Sequence, residues 1–245
     1  MDNADQPPLS TYELLLPGKT TVTLLAALRS PFLETLRLSG TVRISSVPAT
    51  TLKNLKHLTI NDVQGSYFDN RDFSQCFPSI STLESFTYGR TDWLSFELRD
   101  HHLRAISAAA SSLRKLVLID CRKLTTATIA HCLEQFQRLE YFALALVTTL
   151  ELEVNFIGCL PPTIQVLRLA IRNEGWTKAF VDKESDIYGT VAKLMQEAGS
   201  VLAEVSLHMR PDPFGEPTWR ARLSSAAHHS RAQLIFGPWI SSESS

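Results

Sequence analysis

Five groups of residues carry side chains suited to chemistry, and the spacing of each decides what that chemistry could be. Pro17-Gly18-Lys19-Thr20-Thr21 has the Gly-Lys-Thr end of a phosphate-binding loop. Such a loop needs a second glycine five places earlier, so that backbone N–H groups can wrap the phosphates. Position 13 is Glu13, and the segment reads as a turn before a helix. His101 and His102 follow Asp100. Adjacent helical residues do not face each other, so this pair does not readily chelate one ion, and a solvated first helical turn is expected. His131-Cys132 with Glu134 has the same weakness, with Cys132 turned inward beside Ile129 and His131 turned out. His228-His229 has no carboxylate or cysteine at ligand spacing. The cysteines at 76, 121, 132 and 159 include no close C-x-x-C pair, and four in a chain of 245 residues do not make a disulfide scaffold. Free buried thiols are expected. With no nucleophile elbow, dinucleotide turn or recognisable carboxylate pair, the expectation is no metal, no cofactor and no catalysis.

The elements that would have to position any site are more informative. An apolar residue, two free positions, an apolar residue, one free position and an apolar residue recur along the chain. The copies are Leu33-Leu36-Leu38, Leu55-Leu58-Ile60, Leu83-Phe86-Tyr88, Leu113-Leu116-Leu118, Leu139-Phe142-Leu144, Ile164-Leu167-Leu169 and Leu202-Val205-Leu207, with a weaker Leu9-Tyr12-Leu14 before them. Their last apolar positions are separated by 24, 22, 28, 30, 26, 25 and 38 residues. A unit of that size cannot bury its own apolar face and must stack on its neighbours.

Between the triplets lie helix signals. Thr20 or Thr21 can cap a helix carrying Leu24, Leu25 and Leu28, stopped by Pro31. A short helix is expected near Phe73 to Phe77. Asp100 can cap one carrying Leu103, Ile106 and Ala110, and Thr125 or Thr126 one carrying Ile129, Leu133 and Phe136. From Thr148 to Pro162, Leu150, Leu152 and Val154 alternate, which predicts an extended segment. Ile171 to Ser200 reads as an insertion with a helix through Val191, Leu194 and Ala198, ended by Gly199. Pro217 can start a helix through Trp219 and Leu223, and Ala232 to Ile240 is strand-like, broken by Gly237 and Pro238. Trp219, Leu223, Phe236 and Trp239 read as the cap that closes the apolar seam.

The stretch LRKLVLIDCRKLTTATIAHCLEQFQRLEYFAL from Leu113 places Cys121 after its triplet and Leu139-Phe142-Leu144 one 26-residue step on. It resembles the cysteine-containing leucine-rich repeat typical of F-box/LRR proteins, the substrate receptors of cullin-RING ubiquitin ligases. The resemblance implies that Cys121 turns inward where its strand ends, with Thr41, Val63, Thr91, Val147, Arg172 and Arg210 in the equivalent places. It covers residues 9 to 210 and includes no F-box. A Skp-type adaptor is therefore implied as a partner only if an F-box exists elsewhere.

The expected fold class is α/β, a leucine-rich repeat solenoid with a curved parallel β-sheet on the concave face and helices and irregular segments on the convex face. The expected organisation is a flexible tail at 1–8, the solenoid at 9–210, a C-terminal cap at 211–240 and a tail at 241–245. Strand side chains alternate, so the free positions of each triplet point onto the concave face. Its first half is polar. Its second half is apolar around Val117, Ile119, Tyr141, Ala143, Ala145, Val166 and Ala170, rimmed by Lys115 and Arg168. Two readings of that patch stand side by side. It is a docking site for a protein partner, or the C-terminal loops or the Ile171–Ser200 insertion fold over and cover it. On the first reading, Tyr141→Ala and Val117→Asp abolish capture of a partner and leave thermal unfolding nearly unchanged.

The function read from this pattern is protein–protein interaction without catalysis. The alternatives are a free-standing regulatory repeat protein unrelated to ubiquitination and an enzyme on a compact α/β fold. Apolar content of 44%, charged content of 20% and a net charge of −1 give no general attraction to nucleic acid or an anionic membrane, and neither is an expected partner. No run approaches the roughly 18 apolar residues of a membrane span. The opening MDNADQPP lacks the basic and apolar parts of a secretory signal, so an intracellular setting, cytoplasmic or nuclear, is expected.

Overall fold

A computed structural model describes residues 10–14, 22–23, 32–43, 52–64, 80–91, 93–148, 152–173, 178–197, 199–209 and 218–240. The strands are β1 Thr11–Leu14, β2 Val22–Thr23, β3 Thr35–Arg43, β4 His57–Gln64, β5 Ser85–Gly89, β6 Lys115–Cys121, β7 Tyr141–Thr148, β8 Val166–Asn173, β9 Glu204–His208 and β10 Gln233–Phe236. The helices are α1 Asp100–Ala109, α2 Thr126–Gln135, α3 Lys178–Gln196 and α4 Thr218–Ser230, with a 3₁₀ turn at Phe156–Cys159. The fold is α/β. One sheet runs β1-β3-β4-β5-β6-β7-β8-β9-β10, with β2 pairing β3 beside that path, and neighbouring strands are parallel.

The triplets explain this order. Leu36 pairs with Leu58, Leu58 with Phe86, Phe86 with Leu116, Leu116 with Phe142, Phe142 with Leu167 and Leu167 with Val205. The third apolar positions stand in the same register, and the weak first copy joins it, with Tyr12 opposite Leu36 and Leu14 opposite Leu38. From Leu33 to Leu207 no triplet residue is more than 4% exposed, and all fall in one continuous cluster. A one-residue slip in any strand would turn its whole apolar set to the other face, so burial holds the register.

Hydrogen bonds repeat with the same period. Lys56 and His57 N–H both donate to Glu34 O, Glu84 and Ser85 to Lys56 O, Arg114 and Lys115 to Glu84 O, and Glu140 and Tyr141 to Arg114 O. Each strand thus starts by fastening two donors to one carbonyl of the preceding strand. A tight turn comes just before, with Leu55 N–H on Leu52 O, Leu83 on Ile80, Leu113 on Ala110 and Leu139 on Phe136.

The helices bury their apolar faces in the triplet cluster. Leu103 and Ile106 of α1, Ile129 and Leu133 of α2, Ile187, Val191 and Met195 of α3, and Leu223 and Ala226 of α4 all belong to it. Of the two expected caps of α2, Thr125 is the one in place, its hydroxyl accepting from Thr128 N–H at 3.2 Å. Asp100 does not cap α1. It is the first helical residue, and its carboxylate accepts from Thr125 N–H and Oγ1, both at 2.9 Å, which ties the start of α1 to the start of α2. His102 fills the role a Glu or Gln takes in a capping box, its Nδ1 accepting from Arg99 N–H at 3.1 Å.

Several expectations need correcting. Ile171 lies within β8 rather than opening an insertion, and α3 is a helix of 19 residues. The segment after Thr148 contains the 3₁₀ turn, which buries Phe156 and Ile157. The expected helix beginning at Thr20 or Thr21 gives way at Val22–Thr23 to β2, and its remainder lies outside the described residues, as does the helix expected near Phe73. Cys121 is inward, 1% exposed, and Val63 is its equivalent as counted along the sequence, but Val147 and Arg172 are not. Asp120 has φ 54°, the ladder shifts register between Leu118 and Cys121, and Cys121 stands opposite Leu146 rather than Val147. One left-handed residue adds a place to β6 that β7 lacks. Leu146 and Ile171 therefore take the inward place, and Arg172 is exposed.

Candidate functional site

The opposite face of the sheet, over β6 to β9, holds the residues singled out from the sequence. Lys115, Tyr141, Val166 and Glu204 form one cross-strand row, and Val117, Ala143, Arg168 and Ser206 form the next. The Lys115 ammonium sits 4.6 Å from the Tyr141 ring centre and the Arg168 guanidinium carbon 5.5 Å from it. Arg168 Nε donates to Glu204 Oε1 at 2.7 Å, with both side chains about one-fifth exposed. A phenol between two cations, one anchored by a carboxylate, makes a half-buried polar ladder along one side of the face.

The rest of the face is not open. Val117, Ile119, Ala143, Ala145 and Ala170 form a second apolar cluster with Trp239, against which Tyr141 and Ile240 pack. Val117 and Ala143 are 0% exposed and Trp239 is 5% exposed. Of the two readings of this patch, cover by the C-terminal segment holds for its interior, while Lys115, Tyr141, Val166 and Arg168 remain half-buried at its edge. The cover is the C-terminal segment. The helix of the Ile171–Ser200 stretch lies elsewhere, since the buried residues Ile187, Tyr188 and Val191 belong to the triplet cluster.

The local chemistry accounts for the cover. Strand β10 ends with Gly237 N–H donating to Leu207 O at 3.1 Å. Gly237 then takes φ 140°, a conformation open to glycine, and Pro238 offers no N–H to continue the ladder. The chain turns across the face, and Trp239 sits over three alanines. Small side chains on adjoining strands leave the volume an indole needs.

Trp239 was expected to cap the triplet seam with Trp219, Leu223 and Phe236. Leu223 does belong to that seam. Trp219 stacks on Tyr188 with ring centres 4.2 Å apart, and Phe236 packs edge-on to Trp219 at 5.9 Å. Trp239 belongs to the other face. Ile240 joins the site without having been expected there, and Glu204 and Ser206 join it as outward residues of the same strand face that the sequence did not single out. The signal for an occupant was the alanine column itself, too small to close the face unaided.

The groups considered for chemistry fall apart in space. Gly18 and Lys19 lie outside the described residues. His101 is exposed, whereas His102, expected to be solvated, is fully buried with its ring 5.0 Å from that of Phe96. His131 points out and Cys132 in, as expected. His229 Nδ1 lies 2.7 Å from Ser225 O, within its own helix. Cys121, Cys132 and Cys159 are free thiols, and burial raises the pKa of each above the ordinary value. Among the described residues, no group of three or more His, Cys, Asp or Glu is placed to hold a metal ion, and no helix is long and apolar enough to cross a membrane. The sequence matches no protein-family model and no curated protein.

Proposed function

We propose that this protein is a protein-binding module of the leucine-rich repeat type, a curved solenoid that receives a partner on its concave strand face through Lys115, Tyr141, Val166 and Arg168. One observation carries the reading. Buried residues of α1 to α4 pack on one side of the sheet, while the other side presents a tyrosine between two cations beside an apolar cluster. Tyr and Arg at the edge of an apolar surface are favoured binding anchors. The single-register leucine cluster supports a repeat architecture. The strand order of the described sheet contains no reversal, the place where open α/β enzymes bind their ligands, so the binding reading is preferred to the enzymatic one.

The narrower reading, a substrate receptor of a ubiquitin ligase, rests on the resemblance of the Leu113–Leu144 segment and on the inward Cys121. Co-purification with a Skp-type adaptor supports it, and its absence from the full-length protein favours a free-standing regulatory module. The binding reading is tested by capture from cell extract with wild-type protein and with Tyr141→Ala/Arg168→Ala. A partner held by the first and lost by the second, at nearly equal thermal stability, supports it. Equal capture by both rejects this face.

A further inference from the structure

We infer that the Trp239–Ile240 segment is an exchangeable internal ligand, a strap occupying the partner site until an extended peptide with an aromatic and a branched aliphatic side chain in succession displaces it. This rests on the binding reading above and adds both the chemistry of the occupant and its control.

Three features separate the strap from the fold proper. Its cluster of Val117, Ile119, Ala143, Ala145 and Ala170 is distinct from the continuous triplet core. The strap follows a hinge, Gly237 at φ 140° and then Pro238, beyond the last ladder bond to Leu207 O. The surface beneath it consists of strand side chains already set by register with their neighbours, so lifting the strap requires no strand to part. A terminal segment that follows a hinge opens more readily than the strands it covers.

The chemistry of the seat names the ligand. Three alanines floor it, Val117 and Ile119 border it, and the chain fills it with an indole followed by an isoleucine. The Tyr141 ladder lies along its edge, where a displacing peptide would add polar contacts. A tethered ligand competes at an effective concentration of order millimolar, so a free peptide of equal intrinsic affinity meets strong competition in the wild-type chain and little once the strap's side chains are removed.

The full chain carrying Ala143→Cys provides the test. Its introduced thiol lies beneath Trp239, and its alkylation, read by mass spectrometry, is compared with that of Cys121 in the same molecule. Opening of the strap predicts alkylation at least tenfold faster than at Cys121, and a further tenfold gain on adding Trp239→Ala/Ile240→Ala with Cys121 unchanged. A synthetic peptide of residues 235–245 at millimolar concentration should then slow the reaction severalfold in the strap-less variant, and the same peptide with alanine for its tryptophan should not. Alkylation that keeps pace with Cys121, or that ignores Trp239→Ala/Ile240→Ala, overturns the strap. Failure of the peptide to protect overturns the ligand assignment. If Ala143→Cys disturbs folding, Ala170→Cys at 6% exposure serves in its place. None of these readings requires an external partner, so a strap that opens while extract yields nothing dependent on Tyr141 refutes the binding proposal, and with it the strap's role in place of a partner, and leaves only its opening and its self-peptide seat established.

Discussion

Asp120 sets the position of Cys121. With φ 54° at Asp120, the chain gains one residue at the end of β6 and directs the thiol into the core opposite Leu146. Asp62 in β4, at φ 49°, stands two residues past Ile60 as Asp120 stands two past Leu118, and buried Val63 follows it as Cys121 follows Asp120. Left-handed backbone is accessible to Asp and Gly and strained for β-branched residues. Asp120→Gly should therefore hold stability within about 0.5 kcal/mol, while Asp120→Val should cost about 1–2 kcal/mol. Urea denaturation of the two variants checks this, and equal losses would refute the role given to φ.

Stability should fall in alkali. Burial, then the Asp120 and Glu97 carboxylates, raises the Cys121 pKa from its ordinary 9.0. Burial, then Cys121, raises the Tyr88 pKa from 10.0. As pH climbs past these ordinary values the unfolded chain releases protons that the folded chain retains. The unfolded state binds fewer protons, so stability is complete below about pH 9 and declines above it, by up to about 1.4 kcal/mol per pH unit for each group. Tyr88 also donates to Phe96 O at 2.7 Å and accepts from Leu98 N–H at 3.2 Å, so Tyr88→Phe should cost about 1–3 kcal/mol at pH 7.5. Denaturation from pH 7.5 to 10.5 should show this loss and a shallower alkaline slope in Tyr88→Phe than in wild type.

Asp100 and Thr125 should behave as one unit. The Thr125 hydroxyl donates to Asp100 while accepting from Thr128 N–H. Thr125→Ala removes the cap of α2 and the link between α1 and α2 together, at a cost of about 1–2 kcal/mol. Asp100→Ala should cost about 1 kcal/mol, and the double variant should fall short of the sum by about 0.5 kcal/mol or more. Additive losses in a double-mutant cycle would show the link to be energetically idle.

The two apolar clusters should answer differently to truncation. Leu144→Ala opens a cavity in the triplet core, where Leu144 is 0% exposed, and should cost about 3–5 kcal/mol. Trp239→Ala removes a larger side chain yet should cost less than about 2 kcal/mol in global unfolding, because the strap opens apart from the sheet. Calorimetry of both variants decides the order. Val117→Asp, which the sequence presents as a surface probe, is no longer one. With Val117 fully buried under the strap, an unpaired carboxylate there should dislodge Trp239 and lower the melting temperature.

Much of this arrangement could be read in advance because it is local. Every triplet residue from Leu33 to Leu207 is inward as the pattern places it, since alternation and a recurring period leave their imprint on neighbouring positions. Thr125 was legible as a cap for the same reason. What escaped depends on contacts distant in sequence or on single backbone angles. The left-handed Asp120 differs from its surroundings by one torsion, which no apolar period records. Asp100 looked like a cap because its partner Thr125 lies 25 residues on. The α3 helix was expected to be shorter because Lys178 to Asp186 carries many charges, and only packing shows which side of it faces inward. Tyr141, Val166, Lys115 and Arg168 were rightly grouped on one face, but Trp239, assigned to the wrong side of the sheet, was the residue that decided how much of that face is open.

Trp239 also alters how the molecule would bear a load. Strand β10 adjoins only β9 in the described sheet, so tension on the C-terminus would otherwise peel the strands away one by one. Because Trp239 shares a cluster with Val117 and Ile119 of β6, a tug from that end reaches the middle of the sheet first. The indole serves as a stitch across several strands, and releasing it would at once bare a surface and free the last strands to unravel.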